Sequence, residues 1–178
     1  MYIMKKWFYF LFALALYFIV HEYFHILMSL IFDEFDKLKI HWYGPEVIYI
    51  TPVEERIPHI KWFFISGPSN FLTLTIGYTI YLLRSKIINN FHEDIFIMNL
   101  LYYVAIVFLL FDAVNLSIGP FIYGGDTLGI AAGLKINPWI IQIFFGIILL
   151  INRELIISFM KSFGVSSHSI LFKSWRHE

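Results

Sequence analysis

The chain has 178 residues, of which 59% are hydrophobic, 20% are aromatic and only 15% are charged. Its mean hydropathy of +0.71 is far above that of a soluble domain, so the composition predicts a polytopic protein of the lipid bilayer. The formal net charge is zero, which gives no indication of a nucleic-acid partner. Cysteine is absent, so disulfides and thiolate metal sites are excluded, and any metal must be held by His, Asp or Glu.

The first apolar segment runs from Trp7 to about Ile31, which is the length of a membrane-spanning helix. A basic start and an apolar stretch also occur in signal peptides, but the small residues that would mark cleavage, at 13–15, lie in the middle of this run. The segment is therefore predicted to stay in the protein as its first transmembrane helix.

The sequence His-Glu-Tyr-Phe-His at 21–25 lies inside this first segment. Residues four apart share one face of a helix, so His21 and His25 can both point at one metal ion. Glu22 is close enough to act on a water molecule bound to that metal. The alternative is a pair of inert histidines packed against other helices. Ionisable groups are costly within a membrane, which favours a functional site.

The longest polar segment, 33–60, contains a hairpin pattern over about 37–51. Polar and apolar residues alternate at first, Gly44-Pro45 is a turn signal, and β-branched and aromatic residues follow up to Thr51. The sequence leaves two interpretations open. The segment is either an ordinary loop at the membrane interface or an edge strand that pairs with an extended substrate.

Two more apolar segments, about 61–83 and 95–118, are predicted to span the membrane. The first of these is interrupted by Gly67-Pro68 and carries Asn70 at about the depth of the two histidines, counted from the shared loop. An amide at this depth predicts a role in orienting substrate or supporting a developing oxyanion. The alternative is that these small residues serve only helix packing.

The segment 119–134 is predicted to be a re-entrant metal loop, because Gly119-Pro120 and Gly124-Gly125 interrupt the helix at membrane depth. Non-helical backbone is tolerated there when it lines a cavity or is buried in protein. A short helix is predicted to follow at about 128–134, with Asp126 or Thr127 as a candidate N-cap.

The last apolar stretch, about 138–152, has fewer residues than a normal span. It either ends there or continues past Arg153-Glu154 through Met160, and the tail to Glu178 is predicted to be interfacial or loose. The whole pattern predicts a single membrane domain, 1–178, that is all-α and polytopic. It has about four transmembrane helices, three of which form a catalytic core, and a short β-hairpin after the first helix.

A catalytic zinc ion is usually held by three protein ligands and one water molecule, so a third ligand is needed besides His21 and His25. Asp112 and Asp126 are both candidates, since each lies at membrane depth towards the end of the third span that the histidines face. With either ligand, Glu22 is predicted to accept the proton of the zinc-activated water during attack on a peptide carbonyl.

These motifs resemble the site-2 protease family of intramembrane zinc metalloproteases. The resemblance rests on His-Glu-Tyr-Phe-His at 21–25, Gly-Pro-Ser-Asn at 67–70 and the segment 115–126 from Asn to Asp, in that order on three successive apolar segments. It implies a hairpin after the first core helix. Carried over by position, it also implies the zinc ligands and the general base, namely His21, His25 and Asp126 as ligands and Glu22 as the base.

The predicted function is therefore that of a zinc metalloendopeptidase that cleaves a membrane protein substrate in or near a transmembrane segment. Its catalytic residues are predicted to be Glu22 and Asn70, with one Zn²⁺ per chain, and it is predicted to be a multi-pass protein of the cell membrane. The alternative is a non-proteolytic zinc-binding membrane protein, and a third possibility is a structural or transport protein with a chance motif. No nucleic-acid partner is expected, and the sequence does not assign an oligomeric state.

Overall fold

The computed structural model describes residues 2–42, 44–122 and 125–165, with side chains from Lys6 onward. The elements within these ranges are α1 (Tyr2–Ile31), β1 (Phe35–His41), β2 (Gly44–Tyr49), α2 (Lys61–Ser66), α3 (Pro68–Leu82), α4 (Arg84–Phe91), α5 (Ile95–Ser117), α6 (Asp126–Leu134) and α7 (Pro138–Ser162). Short 3-10 turns lie at Val53–Glu55 and Gly119–Phe121. Position 43 of the predicted hairpin, positions 123 and 124 of the predicted metal loop, and the tail from 166 lie outside the described residues.

Capping residues and prolines explain where the long helices begin. The side chains of Asp94 and Asn137 each accept a hydrogen bond from a backbone N–H in the first turn of α5 and α7, respectively. Pro68 and Pro138 are the first residues of α3 and α7. A backbone N–H at this position has no hydrogen-bond partner within the helix, so proline can stand there without loss of a helical hydrogen bond.

Among the described residues, three helices are long and apolar enough to span a membrane: Lys6–Ile31 of α1, α5 and α7. The predicted second span is broken at Gly67 into α2 and α3, and α4 follows at a bend of 62°. Counting this bent segment as one span would raise the number to four. The helix α7 continues to Ser162, the longer of the two alternatives, and Arg153 and Glu154 within it form an ion pair with each other.

The helix α5 lies at the centre of the bundle and packs against α1, α3 and α7. Its Val107 and Phe108 join Ala13 and Tyr17 of α1 in a buried cluster. The outer faces of α1 and α7 are apolar instead of polar; for example, Ile143 on α7 is 62% exposed. A helix that is apolar both inside and outside is typical of membrane spans.

A buried polar contact ties three of these helices together. Asn152 of α7 is fully buried, and its amide oxygen accepts a hydrogen bond from the hydroxyl of Tyr78 of α3 at 2.7 Å. Its amide N–H donates to the backbone oxygen of Leu109 of α5 at 2.6 Å. Such bonds hold helices in one arrangement where no water competes for the polar groups.

The strands β1 and β2 form an antiparallel hairpin directly after α1, as predicted. The prediction that Gly44-Pro45 forms its turn is wrong, because both residues belong to β2, opposite His41 and Ile40. Gly44 has a φ of +139°, and the ring of Phe18 lies 2.8 Å from the point where a Cβ atom would stand. A larger residue would therefore be strained and would clash, so this glycine serves the start of the strand and its close approach to α1.

Glu34 fastens the base of the hairpin to the helical bundle. The side chain is only 5% exposed, and its carboxylate accepts hydrogen bonds from the ammonium group of Lys61 at 2.6 Å and the hydroxyl of Thr51 at 3.0 Å. Burial alone would raise the pKa of Glu34, but the hydrogen bonds from Lys61 and Thr51 outweigh it and hold this pKa below its ordinary value. The carboxylate therefore stays charged and keeps the hairpin in place.

Candidate metal centre

His21 and His25 belong to one buried stripe of α1. Ala13, Tyr17, His21, His25 and Ser29 recur every four residues, and each is at most 4% exposed. The helix packs against α3 and α5. The helical spacing in the sequence therefore places both imidazoles on the same side of α1, in the interior of the bundle, as predicted.

Asp126 reaches the two histidines from the far end of the loop after α5. Gly125 adopts a φ of +66°, which glycine tolerates more readily than other residues, and α6 begins immediately after it with Asp126. The Oδ2 atom of Asp126 lies 3.2 Å from Nε2 of His21, and its Oδ1 atom lies 3.1 Å from Nε2 of His25. A loop that is broken at membrane depth thus places a carboxylate against both imidazoles.

The alternative that Asp126 or Thr127 caps the following helix is wrong. The helix starts at Asp126, two residues earlier than predicted, and no side-chain hydrogen bond caps it. The hydroxyl of Thr127 donates instead to the backbone oxygen of Leu116, at 3.0 Å. The carboxylate of Asp126 contacts the imidazoles and therefore does not cap the helix.

The other nitrogen of each imidazole faces a hydrogen-bond acceptor. Nδ1 of His25 lies 2.9 Å from the backbone oxygen of Ile65 in α2. Nδ1 of His21 lies 3.3 Å from Oδ1 of Asp112 in α5. Neither a carbonyl nor a carboxylate can donate a proton, so with a proton on Nδ1 each imidazole would have the lone pair of its Nε2 available for a metal ion.

Three electron-pair donors therefore converge on one point. The two Nε2 atoms lie 3.1 Å apart, and each lies within 3.2 Å of an oxygen of Asp126. Lone pairs and a negative charge at these distances repel one another unless a proton or a metal cation lies among them. Ligands about 2.0–2.1 Å from a tetrahedral zinc ion are about 3.3 Å apart, so the donor types and their spacing fit such an ion. His21, His25 and Asp126 can hold a metal ion.

Asp112 lies behind this donor set. It is fully buried beside Nδ1 of His21, on the side of the ring opposite Nε2. Its carboxylate also accepts hydrogen bonds from the hydroxyls of Tyr17, at 2.8 Å, and Thr73, at 2.5 Å. The geometry does not support Asp112 as the third ligand in place of Asp126. It fits a carboxylate that orients the imidazole and makes its Nε2 a stronger donor.

Asn70 and Asn115 both hold Asp126. Their side-chain N–H groups donate to Oδ2 of Asp126 at 3.0 and 3.1 Å, respectively. Asn70 also donates to the backbone oxygen of Ser66 at 2.8 Å. Asn70 thus lies at the depth of the histidines, but its amide hydrogens face Asp126 and Ser66. The predicted role of Asn70 towards substrate or an oxyanion stays a prediction.

A cavity of about 350 Å³ opens beside the donor set, a volume typical of ligand sites. Its walls come from α1, β2, the segment after β2 and the end of α5. Glu22 lines the same cavity, and its Oε2 atom accepts a hydrogen bond from the backbone N–H of Val47 in β2 at 3.1 Å. The donor set and the carboxylate of Glu22 therefore face one space.

Tyr49 and Ser69 are site residues that the sequence analysis does not single out. The hydroxyl of Tyr49 lies 3.2 Å from Nδ1 of His25, and Oγ of Ser69 lies 3.0 Å from Nε2 of the same ring. Burial, and then the negative charge of Asp126, raise the pKa of Tyr49 well above its ordinary value, so the phenol keeps its proton. Ser69 was signalled by its place beside Asn70, whereas only the strand pattern pointed towards Tyr49.

The site can also be compared with known proteins. Models of protein families, curated proteins and solved structures were searched, and none of them matches this chain. The resemblance of the motifs to the site-2 protease family therefore stays a prediction. What the residues themselves establish is a group of two buried histidines and a partly buried aspartate that can hold a metal ion, in the wall of a cavity and within a bundle of apolar helices.

Proposed function

We propose that this protein is an intramembrane zinc metalloprotease that hydrolyses a peptide bond in or near a transmembrane segment of another protein. The observation that carries the proposal is the convergence of His21, His25 and Asp126 in the wall of a cavity that Glu22 also lines. Two imidazoles, a carboxylate and a neighbouring glutamate are a common ligand set and base of zinc hydrolases. The resemblance of the motifs to the site-2 protease family supports the same function.

The apolar helices support a location of this site within the membrane. The candidate span of α1, Lys6–Ile31, has 26 residues. His21 lies ten residues before its end, which corresponds to about 15 Å along a helix that rises 1.5 Å per residue. A site at this depth would meet a peptide bond inside the bilayer or close to its surface, and this position favours a membrane protein as the substrate.

The proposed chemistry divides the work between the donor set and Glu22. A zinc ion bound there would supply Lewis-acid activation of a water molecule at neutral pH. Glu22 would accept a proton from that water and return it to the leaving amide nitrogen. Asp112 and the carbonyl of Ile65 would hold the two imidazoles in the tautomer that leaves Nε2 available to a metal ion.

The edge of β2 that faces away from β1 supports a substrate in extended form. Among the described residues, β2 pairs with β1 along one edge only, and its positions 45–49 line the cavity. The N–H of Val47 points away from β1 towards Glu22. A peptide that adds to this edge would lie beside the base, which favours the edge-strand interpretation of the segment over that of an ordinary interfacial loop.

The test compares wild type with Glu22→Gln in liposomes that contain a panel of fluorogenic single-span peptides. Because a general base contributes about 10²–10⁴-fold in rate, Glu22→Gln should reduce cleavage at least about 100-fold. The variant should keep about one zinc ion per chain, since Glu22 is not one of the three ligands. Glu93→Gln is the matched control, because the Glu93 side chain is 90% exposed and does not line the cavity.

Three results would contradict the proposal at different points. Cleavage by Glu22→Gln at the wild-type rate would remove Glu22 from the mechanism. Zinc in the wild type without cleavage of any peptide would favour the non-proteolytic zinc-binding protein. Wild-type protein that takes up no zinc from a zinc-containing buffer would overturn the metal centre itself.

A further inference from the structure

Arg56 is a fixed positive charge in the wall of the same cavity. It follows the 3-10 turn Val53–Glu55, and its guanidinium carbon lies 4.4 Å from the ring centre of Trp62 and 5.0 Å from that of Tyr49. Cation–π contacts with two rings hold the side chain in one position. Among the described residues, it is the one lysine or arginine that lines this cavity.

Among the described residues, Arg56 has no anionic partner. Within the described part of the chain it forms no ion pair with a carboxylate, and its Nε atom is buried without a hydrogen-bond partner. Burial lowers the pKa of Arg56, although an arginine in a protein remains charged. A partly desolvated guanidinium with unused N–H groups is suited to a carboxylate, which it can bind through two parallel hydrogen bonds.

A second arginine provides a useful contrast. Arg84 also stacks on an aromatic ring, with its guanidinium carbon 4.3 Å from the ring centre of Tyr81. However, it donates a hydrogen bond to the backbone oxygen of Tyr81 at 2.9 Å, and it does not line the cavity. Stacking on a ring is therefore common to both arginines, whereas an unpaired position beside the donor set belongs to Arg56.

We infer that Arg56 binds a carboxylate of the substrate and gives the protease a preference for an acidic group near the bond that it cleaves. The inference rests on the proposed function, because Arg56 shares its cavity with the donor set and Glu22. The acidic group belongs either to an Asp or Glu side chain or to a free chain end. Both sources present the same chemistry to the guanidinium.

The position of Tyr49 sets the distance between the guanidinium of Arg56 and the donor set. Arg56 lies over the ring of Tyr49, whose hydroxyl is 3.2 Å from Nδ1 of His25, so a single tyrosine separates the guanidinium from the donor set. At about 3.3 Å per residue of extended chain, a carboxylate held by Arg56 is therefore expected within a few residues of the scissile bond.

The experiment measures peptide binding, so that it does not depend on cleavage. Zinc-loaded Glu22→Gln protein in detergent is titrated into fluorescent apolar peptides, and the dissociation constant is taken from the anisotropy. In the first set of peptide pairs, one member carries Glu and the other carries Gln at the same position, and this position is moved along the peptide from pair to pair. A second pair differs by a free against an amidated C-terminus. The acidic member of one pair should bind about tenfold tighter, as expected for hydrogen bonds to a charged group.

Variants of Arg56 in the same Glu22→Gln background then assign this preference to one residue. Arg56→Gln should remove the tenfold preference and leave the affinity for the neutral peptides within about twofold. Arg56→Lys should restore part of it, because the charge remains but the planar pair of hydrogen bonds is lost. Arg84→Gln is the matched control and should keep the full preference. Zinc content and Tm of each variant confirm that it is folded.

Each outcome has a separate meaning. A preference within the Glu/Gln pair assigns a side-chain carboxylate, and one within the acid/amide pair assigns a chain end. Equal affinity within both pairs, including no binding of any peptide, would overturn the inference. The inference would also be overturned if Arg56→Gln weakened the binding of acidic and neutral peptides by the same factor. That result would indicate a purely structural role for Arg56. A carboxylate preference in a protein whose wild type cleaves no peptide would overturn the proposed function and leave the carboxylate site standing.

Discussion

At the level of single side chains, each donor of the candidate metal centre is held by a neighbour of a different kind. A carboxylate holds His21, a backbone carbonyl holds His25 and two amide side chains hold Asp126. These contacts fix the direction of the lone pairs before any metal is bound. Loss of a donor and loss of its neighbour should therefore have different effects on zinc.

Asp126→Ala should reduce the zinc content from about one ion per chain to near zero after dialysis, because it removes one of three ligands. Asp112→Asn should keep zinc at saturation but weaken its binding about 10–100-fold, since it removes only the partner of His21. Zinc content by elemental analysis and competition with a chelator measure the two effects. If Asp112→Asn lost zinc while Asp126→Ala kept it, the assignment of the third ligand would have to be reversed.

The sequence predicts the donor set well but its surroundings poorly. The spacing of His21 and His25 is a property of any helix, so the shared face could be derived without a structure. The third donor could be chosen only from the order of the motifs along the chain. The structural criterion, which nitrogen of His21 each of Asp112 and Asp126 faces, cannot be read from the sequence. Arg56 could not be assigned because it lies outside any periodic pattern. Tyr49 belongs to the strand pattern, but that pattern does not indicate which side chains Tyr49 contacts.

At the level of elements, the contact between α2 and α6 positions two parts of the metal centre. A Cβ atom on Gly133 of α6 would overlap the backbone of Phe63 in α2, and one on Gly129 would overlap the side chain of Ser66. The two helices therefore approach as closely as glycine permits, in the manner of small residues four apart. α2 carries the carbonyl that holds His25, and α6 begins with Asp126.

Gly133→Ala should therefore weaken zinc binding although residue 133 does not contact the metal ligands. The added methyl group pushes α6 from α2 and moves Asp126 relative to His25, so we expect the affinity for zinc to fall at least about tenfold, as for other supporting contacts. Gly146→Ala on α7 is the matched control, because its Cβ would meet no atom within 4 Å. Both variants are compared by chelator competition, and equal zinc affinity in both would disprove this coupling.

The elements themselves were predicted more reliably than their ends. Long apolar runs identify α1, α5 and α7, and the alternating pattern identifies the hairpin. The sequence pattern misplaces the turn of the hairpin, because Gly44 lies against Phe18, which is distant in sequence. The sequence also leaves the length of α7 open, because two charges interrupt its apolar run. In the fold, Arg153 and Glu154 form an ion pair and the helix continues.

At the level of the whole molecule, a bundle around α5 carries the metal donors, and the hairpin closes over the cavity from outside the bundle. The two parts are joined at Glu34, between α1 and β1, whose carboxylate contacts Thr51 after β2 and Lys61 at the start of α2. One buried charge thus connects three segments that lie far apart in the sequence. Its ionisation should be visible in the stability of the whole protein.

Glu34→Gln should lower the stability at neutral pH by about 2 kcal/mol, or a few degrees in Tm, because hydrogen bonds to a charged group are lost. The pKa of Glu34 in the folded protein lies below its ordinary value of 4.5. The charged carboxylate therefore contributes its full stabilisation when the pH is above this ordinary pKa. This contribution disappears as the pH falls through the folded pKa.

Thermal unfolding of wild type and Glu34→Gln in detergent, from neutral pH to about pH 3, measures this effect. The difference in Tm between the two proteins should be constant down to about pH 5 and should shrink below it. Glu93→Gln, at a side chain that is 90% exposed, should show no such difference at any pH. A difference that grows in acid would contradict the sign of the pKa shift.

The anchors of the neighbouring residues His21 and Glu22 lie in different parts of the molecule. His21 contacts Asp112 in the bundle, whereas Glu22 accepts its hydrogen bond from Val47 in the hairpin. Holding the metal and moving the proton are therefore separable tasks under the proposed function. A hairpin displaced from the cavity would leave the donors in place and take away the partner that orients the base. Under the proposed function, such a protein would bind zinc without cleaving its substrate.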